Sequence, residues 1–279
     1  MLKRKIETIA LVAPCGRIKD FDELNKKIEI LSKNFKVKKY YLEEPKEKNQ
    51  TYLADKDEKR IEYFENAFLD NEVDLVLNIR GGYGAIRIVD KINYNLIKNQ
   101  NKIYCASSDG TILLSALYKN TSIKCFHSLM LTNGFLENLE QNLEIIKNSS
   151  FLLPYKKIIA KKEEKIATGA LWGGNLSSLV SLFSSDAFIP KEDIILFLED
   201  LNEPAYKIDK MLFEIYRFKE LKEKIKGIIF GDFYLEKEEI MPILEEYSNL
   251  FDVPTFYAPK ITHKKDNITL PIGKIIHLK

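Results

Sequence analysis

Apolar runs of strand length recur along this chain, and a segment with helical spacing follows most of them before the next begins. "ETIALVA" is strand-like, Leu24, Ile28, Leu31 and Phe35 then recur at helical intervals, and "VKKYYL" is strand-like again. Ile61, Phe64 and Phe68 mark another helix face before the strand "VDLVLNI". The loop "RGGYGAIR" follows, then a helix through "AIRIVDKI", the strand "KIYCA", the helix "GTILLSALY" and the strand "SIKCF". Such alternation with short connections predicts a mostly parallel sheet flanked by helices.

Residues 134–165 break this rhythm with the polar, helix-like "LENLEQNLEIIKNSS" and then "FLLPYKKIIAKKEEK", which reads as a hairpin or extended connector. The expected organisation is therefore an N-terminal α/β domain over 1–134, a linker over 135–165 and a second, smaller, β-rich α/β domain over 166–279. That second domain carries the strand "DIILFLED", a helix with Ile208, Leu212 and Ile215 on one face, the strands "KGIIFGDF" and "VPTFY", and the closing "ITLPIGKIIHLK". With 279 residues, 45% of them apolar and 11% aromatic, the chain has enough material for substantial cores.

Composition excludes several classes. Lys+Arg and Asp+Glu nearly cancel at 43 against 41, so no basic field favours nucleic acid, and clusters such as "KK" and "KEEK" read as solvated faces. No apolar run reaches the roughly 20 residues of a membrane helix, and the stretch after the basic N-terminus is broken by Glu7 and Thr8, against a signal peptide. Cys15, Cys105 and Cys125 are far apart with no C-x-x-C, which suggests neither a disulfide framework nor a zinc site and fits the cytoplasm.

In parallel α/β sheets ligands gather at the carboxyl ends of strands, so polar residues directly after apolar runs carry the functional weight. "RGGYG" matches neither G-x-G-x-x-G nor the P-loop, which leaves an anion cradle, an oxyanion hole or a tight turn needing positive φ. "SSDGT" places Ser108 at a strand-to-helix turn, where a nucleophile elbow puts its serine, although Ser107 and Asp109 suit helix N-caps equally well. A serine nucleophile needs a base and a group to orient it. Of the three histidines, His263 lies in a polar loop, whereas His127 and His277 sit in strand-like runs and read as structural. Glu199 ends the strand "ILFLE", with Asp200 and Glu203 close behind.

Together these segments resemble the LD-carboxypeptidase family of serine peptidases, which includes the microcin C self-immunity proteins. "IALVAPCG", "YLADKDEKRIEYFENAFLDNEVDLVLNIRGGYGAIRIVDKI", "SSDGTILLSAL", "GGNLSSLVSL", "LFLEDLNEPAYKIDKML" and "LPIG" correspond in order. The resemblance implies a two-domain α/β fold with the site in the groove between domains. It implies Ser108 as nucleophile, His263 as general base and Glu199 as its orienting carboxylate, with an oxyanion hole at the backbone N–H groups of Asp109 and Gly82. Arg80, Gly81, Trp172 and Asn175 are candidate substrate contacts, and Arg87 suits either that pocket or a structural ion pair. The family needs no metal or organic cofactor and commonly forms homodimers. The chain departs from the family pattern at Ala106 and Ser107, at Thr262, and in "FHSLM".

The leading expectation is a cytoplasmic enzyme that removes terminal D-alanine from muropeptide tetrapeptides in peptidoglycan recycling. A second keeps the hydrolase but cleaves an aminoacyl- or peptidyl-nucleotide amide, with Trp172 stacked on the base. A third is a catalytically silent protein that binds muropeptides on the same scaffold.

Overall fold

The computed structural model describes residues 5–42, 52–158, 166–184 and 189–279. The first half builds β1 (Thr8–Val12), α1 (Phe21–Ser32), β2 (Lys36–Tyr40), α2 (Asp57–Leu69), β3 (Leu75–Asn78), α3 (Tyr94–Ile97), β4 (Ile103–Ala106), α4 (Thr111–Asn120) and β5 (Lys124–His127). α5 (Leu139–Asn148), β6 (Lys156–Lys157), β7 (Ala167–Asn175), α6 (Leu176–Val180), β8 (Ile194–Glu199), α7 (Ala205–Arg217) and α8 (Lys219–Lys222) follow. The chain closes with β9 (Ile225–Phe230), α9 (Lys237–Phe251), β10 (Thr255–Tyr257), β11 (Leu270–Pro271) and β12 (Ile275–Leu278).

The strands form two six-stranded sheets, in the orders β11-β5-β4-β3-β1-β2 and β12-β7-β8-β9-β10-β6. Pairing from β2 through to β5 is parallel in the first, as is pairing from β7 through to β10 in the second; β11, β12 and β6 add antiparallel edges. β1 and β3 are buried along their whole length, as continuous apolar strands covered on both faces must be, while β2 (KVKKY) is half exposed at a sheet edge. The helix faces expected at Leu24, Ile28 and Leu31, at Phe64 and Phe68, and at Ile208, Leu212 and Ile215 are all buried.

The two sheets have six strands each. One local feature differs from the expectation. The segment "AIRIVDKI" forms two short 3-10 turns, Ala85–Arg87 and Val89–Lys91, in place of one helix. Gly84 at φ +136° starts this segment, the Ala85 amide is held by the Asp109 carboxylate, and Ala85, Ile88, Val89 and Ile92 are all buried, so anchoring replaces regular helix. Within 135–165, α5 buries Ile145 and Ile146 and β6 pairs with β10; residues 159–165, which include "KEEK", lie outside the described residues.

The two halves share their cores. One apolar cluster joins Val76, Tyr104 and Ile112 to Leu196 and Ile228, and the other joins Leu77 and Phe126 to Phe197 and Ile229. At this seam Gly174, with φ +145°, lets β7 reach the start of α4: a Cβ there would stand 2.5 Å from Thr111 Oγ1. The neighbouring Asn175 amide donates to that same hydroxyl at 3.1 Å. Gly174→Ala combines positive-φ strain with a clash and is expected to destabilise the protein by about 2 kcal/mol or more, read as a lower urea midpoint at unchanged slope.

Candidate active site

Three loops meet where the strands of both sheets end. Ser108 follows β4 at φ +54°, a left-handed conformation that non-glycine residues seldom adopt, and opens a turn that runs into α4. The helix-cap reading of its neighbours does not hold. Ser107 makes no side-chain cap, and the Asp109 carboxylate instead accepts the Ala85 amide at 2.9 Å, tying the serine turn to the glycine loop. Burial pushes the Asp109 carboxyl up, against the hydrogen bonds from Ala85 and Cys15 and the charge of Arg60.

Glycine is required where that loop meets the serine. A Cβ on Gly81 would lie 2.7 Å from Ser108 Cβ and 2.8 Å from its Oγ, so only a bare backbone fits there. Gly82 has φ +105°, and the Gly81 carbonyl accepts the Gly16 amide at 3.0 Å, which locks the loop against the end of β1. Arg60, only 1% exposed, completes this anchoring by donating to the carbonyls of Pro14 and Gly84 and, at 2.7 Å, to Asp57. Sequence reasoning missed Arg60; the signal was opposite charges at Asp57 and Arg60, three apart on the helix face that carries Phe64 and Phe68. Arg87 pairs with Asp57 at 3.1 Å, the structural alternative of the two readings it allowed.

Glu199, the last residue of β8, is completely buried, and its Oε2 lies 2.7 Å from Nε2 of His263 in the segment between β10 and β11. Burial alone would raise the Glu199 carboxyl; the charge of His263, with the His263 and His127 imidazoles set against its two oxygens, overcomes it and holds the carboxyl at about 2. Burial likewise pulls the His263 imidazolium down, but Glu199, then Asp200 and Asp232, outweigh it and raise its pKa. Thr262, one of the departures from the family pattern, steadies this segment. Its hydroxyl donates to Asp232 at 3.1 Å and lies 3.0 Å from the Tyr234 hydroxyl, while its amide donates to Asn267 at 2.9 Å.

Ser108 and His263 line one open cavity of about 380 Å³ together with Arg80, Gly81 and Gly82. Arg80 also borders a neighbouring cavity of about 420 Å³ with Arg17, Lys19, Tyr52 and Tyr83. Its guanidinium donates to the Arg17 carbonyl and has no carboxylate partner among the described residues. Two other candidates do not line this cavity, although Asn175 is the register partner of Glu199. Trp172 is 2% exposed within the core, and Asn175 caps α6, accepting from the Ser178 amide at 3.1 Å and donating to Asp200 at 2.9 Å. Of the histidines read as structural, His277 contacts the Thr168 hydroxyl at 2.8 Å, whereas His127 faces Glu199. The thiols of Cys15 and Cys105 are buried and pushed up by that burial, opposite to what a thiolate nucleophile requires. Among the described residues no group of three or more His, Cys, Asp or Glu is placed to hold a metal ion, and no helix is long and apolar enough to cross a membrane.

Comparison with known proteins agrees in both halves. Residues 9–128 match the LD-carboxypeptidase N-terminal domain and residues 168–278 its C-terminal domain. The chain is 32% identical over 246 residues to a probable murein peptide carboxypeptidase of Bacillus subtilis, covering 81% of this chain and 75% of that protein. It is 25% identical over 253 residues to the murein tetrapeptide carboxypeptidase of Pseudomonas aeruginosa, covering 84% and 82%. The muramoyltetrapeptide carboxypeptidase structure from Oxalobacter formigenes superposes with a TM-score of 0.80 at 25% identity, covering 97% of this chain and 94% of that one. The microcin C7 self immunity protein shares the fold, with a TM-score of 0.81 at 18% identity over 98% of this chain and 93% of that one.

The buried pair makes a signed prediction. Glu199 is depressed, so its contribution to stability is complete above the ordinary carboxyl pKa of about 4.3 and is lost as pH falls towards 2. His263 is raised, so its contribution is complete below about 6.5 and is lost as pH climbs through the folded-state value. In Glu199→Gln the acid-side loss between those carboxyl values should shrink, and His263 should titrate below its wild-type position, measured by unfolding against pH and by NMR of the imidazole C–H.

Proposed function

We infer that this chain, which belongs to the LD-carboxypeptidase family, is a serine-type peptidase that hydrolyses the bond between an L-centre and a terminal D-alanine in murein tetrapeptides. The observation that carries this reading is the 2.7 Å His263–Glu199 contact on a cavity that Ser108 also lines, with Ser108 held at positive φ. The named relatives of Bacillus subtilis and Pseudomonas aeruginosa support the substrate class.

In this mechanism Ser108 Oγ attacks the peptide carbonyl as His263 takes its proton, and the Glu199 carboxylate stabilises the imidazolium that results. The amides of Asp109 and Gly82 receive the developing oxyanion; one such donor is worth about 3 kcal/mol. The proton on His263 passes to the departing D-alanine nitrogen, leaving an acyl-serine, and a water activated by the same imidazole releases the shortened peptide. Arg80, a half-buried cation on the cavity wall, holds the terminal carboxylate that makes the reaction an exopeptidase one. The cytoplasm and a homodimer complete the reading. Cleavage of a nucleotide amide loses its expected stacking partner, because Trp172 is enclosed in the core.

Release of D-alanine from a tetrapeptide, followed by coupled oxidation, tests the assignment. Ser108→Ala should lower kcat by about a thousandfold or more in a protein that unfolds at the wild-type temperature. Arg80→Leu should raise KM roughly tenfold or more for the tetrapeptide while leaving a carboxamide-terminated analogue little changed. A wild-type protein that releases no D-alanine, beside an active control enzyme, would sink the reading.

A further inference from the structure

Glu199 meets a second imidazole. His127, at the end of β5, is completely enclosed, and its Nε2 lies 3.6 Å from Glu199 Oε1, the oxygen opposite the one His263 contacts. Its ring packs edge-on against Phe197 at a centroid distance of 5.3 Å, and neither ring nitrogen has a hydrogen-bond partner at ordinary distance. An imidazole in that position is costly as filler, because an apolar side chain would occupy the same space without stranding two polar atoms. The 3.6 Å separation is a few tenths of an ångström beyond ordinary hydrogen-bond length, a gap closed by a small rotation of either side chain.

We propose that His127 is a positioning residue of the active site, its Nε2–H donating to Glu199 Oε1 so that Oε2 stays aimed at His263. The inference rests on the reading of Ser108, His263 and Glu199 as the catalytic groups. A carboxylate at the end of a strand has two torsions near the reacting end that burial alone does not fix. One oxygen held from the first sheet and the other engaged by His263 fixes both. His127 also takes up part of the carboxylate charge. The titratable groups facing this arrangement are Glu199 from β8 and His263 from the segment after β10, with Asp200 and Asp232 adding negative potential at His263. The strands that flank His127, β4 and β11, oppose it with Ala106 and Leu270 and bring no charge.

The test compares wild type with His127→Leu, His127→Met and His127→Gln in the full chain, by NMR titration of His263 and by kcat and KM for D-alanine release. With an apolar residue in place, Glu199 no longer shares its charge with a second N–H, so His263 should titrate at higher pH than in wild type. In the same variants kcat at neutral pH should fall roughly tenfold with KM within about twofold, while Gln, which keeps an N–H near the Nε2 position, should return both towards wild type. The methionine variant serves if leucine does not fold. An unmoved His263 titration in the apolar variants, or Gln and Leu behaving alike, overturns the proposal. A wild type without D-alanine release overturns the peptidase reading instead, and the His263 titration still decides the role of His127.

Discussion

A carboxylate with no access to water must be partnered, and Glu199 shapes this molecule through that requirement. It ends a central strand of the second sheet, takes one imidazole from its own half and faces another from the first sheet. Burying such a charge is favourable only when geometry on every side is correct, so the seam between the sheets has to close in one register. The shared apolar clusters supply the closing force. The glycines at 81 and 174, each leaving no room for a Cβ, set how near the elements approach.

Much of this was legible in the sequence because it rests on local pattern. Continuous apolar strands, helical spacing at Leu24 and Ile208, and polar residues just past strand ends all obey rules that one segment satisfies alone. Ser108 and Glu199 were candidates because each stands at the end of an apolar strand run, and His263 because it lies in a polar loop; their roles came from the family resemblance. The failures concern contacts between segments distant in sequence. "AIRIVDKI" has helical spacing, yet Asp109 captures its first amide from another strand end. Trp172, beside the glycines at 173 and 174, allowed both base stacking and core packing in the sequence, and it is 2% exposed in the core. Nothing in "IKCFHS" announces that its histidine points at a carboxylate 72 positions later, which is the distance from 127 to 199.

Two of the departures, Ala106 near Ser108 and Thr262 beside His263, have local explanations. Ala106 is fully buried, and a Cβ on Gly110 would stand 2.7 Å from its side chain, so the small residue at 106 and the glycine at 110 fit one another. Thr262 contributes a hydroxyl that donates to Asp232 Oδ2, the same oxygen that Lys264 engages at 2.8 Å, while Oδ1 accepts the Tyr234 amide. Thr262 thereby ties the segment that carries His263 to Asp232.

The path of the C-terminal segment has an order-of-events consequence. The segment holding His263 leaves the second sheet at β10 and returns to the first as β11, pairing Leu270 with His127 and Pro271 with Phe126. During synthesis the outer edge of β5 therefore waits for residues made 143 positions later, the distance from 127 to 270, and the segment that sets His263 against Glu199 is anchored to the first sheet only when they arrive. The turn at Ser108 can form early, whereas the cavity that Ser108 shares with His263 exists only after the segment between β10 and β11 has been made. On the proposed mechanism, a product stalled before residue 263 carries the serine without its base and has no proteolytic capacity.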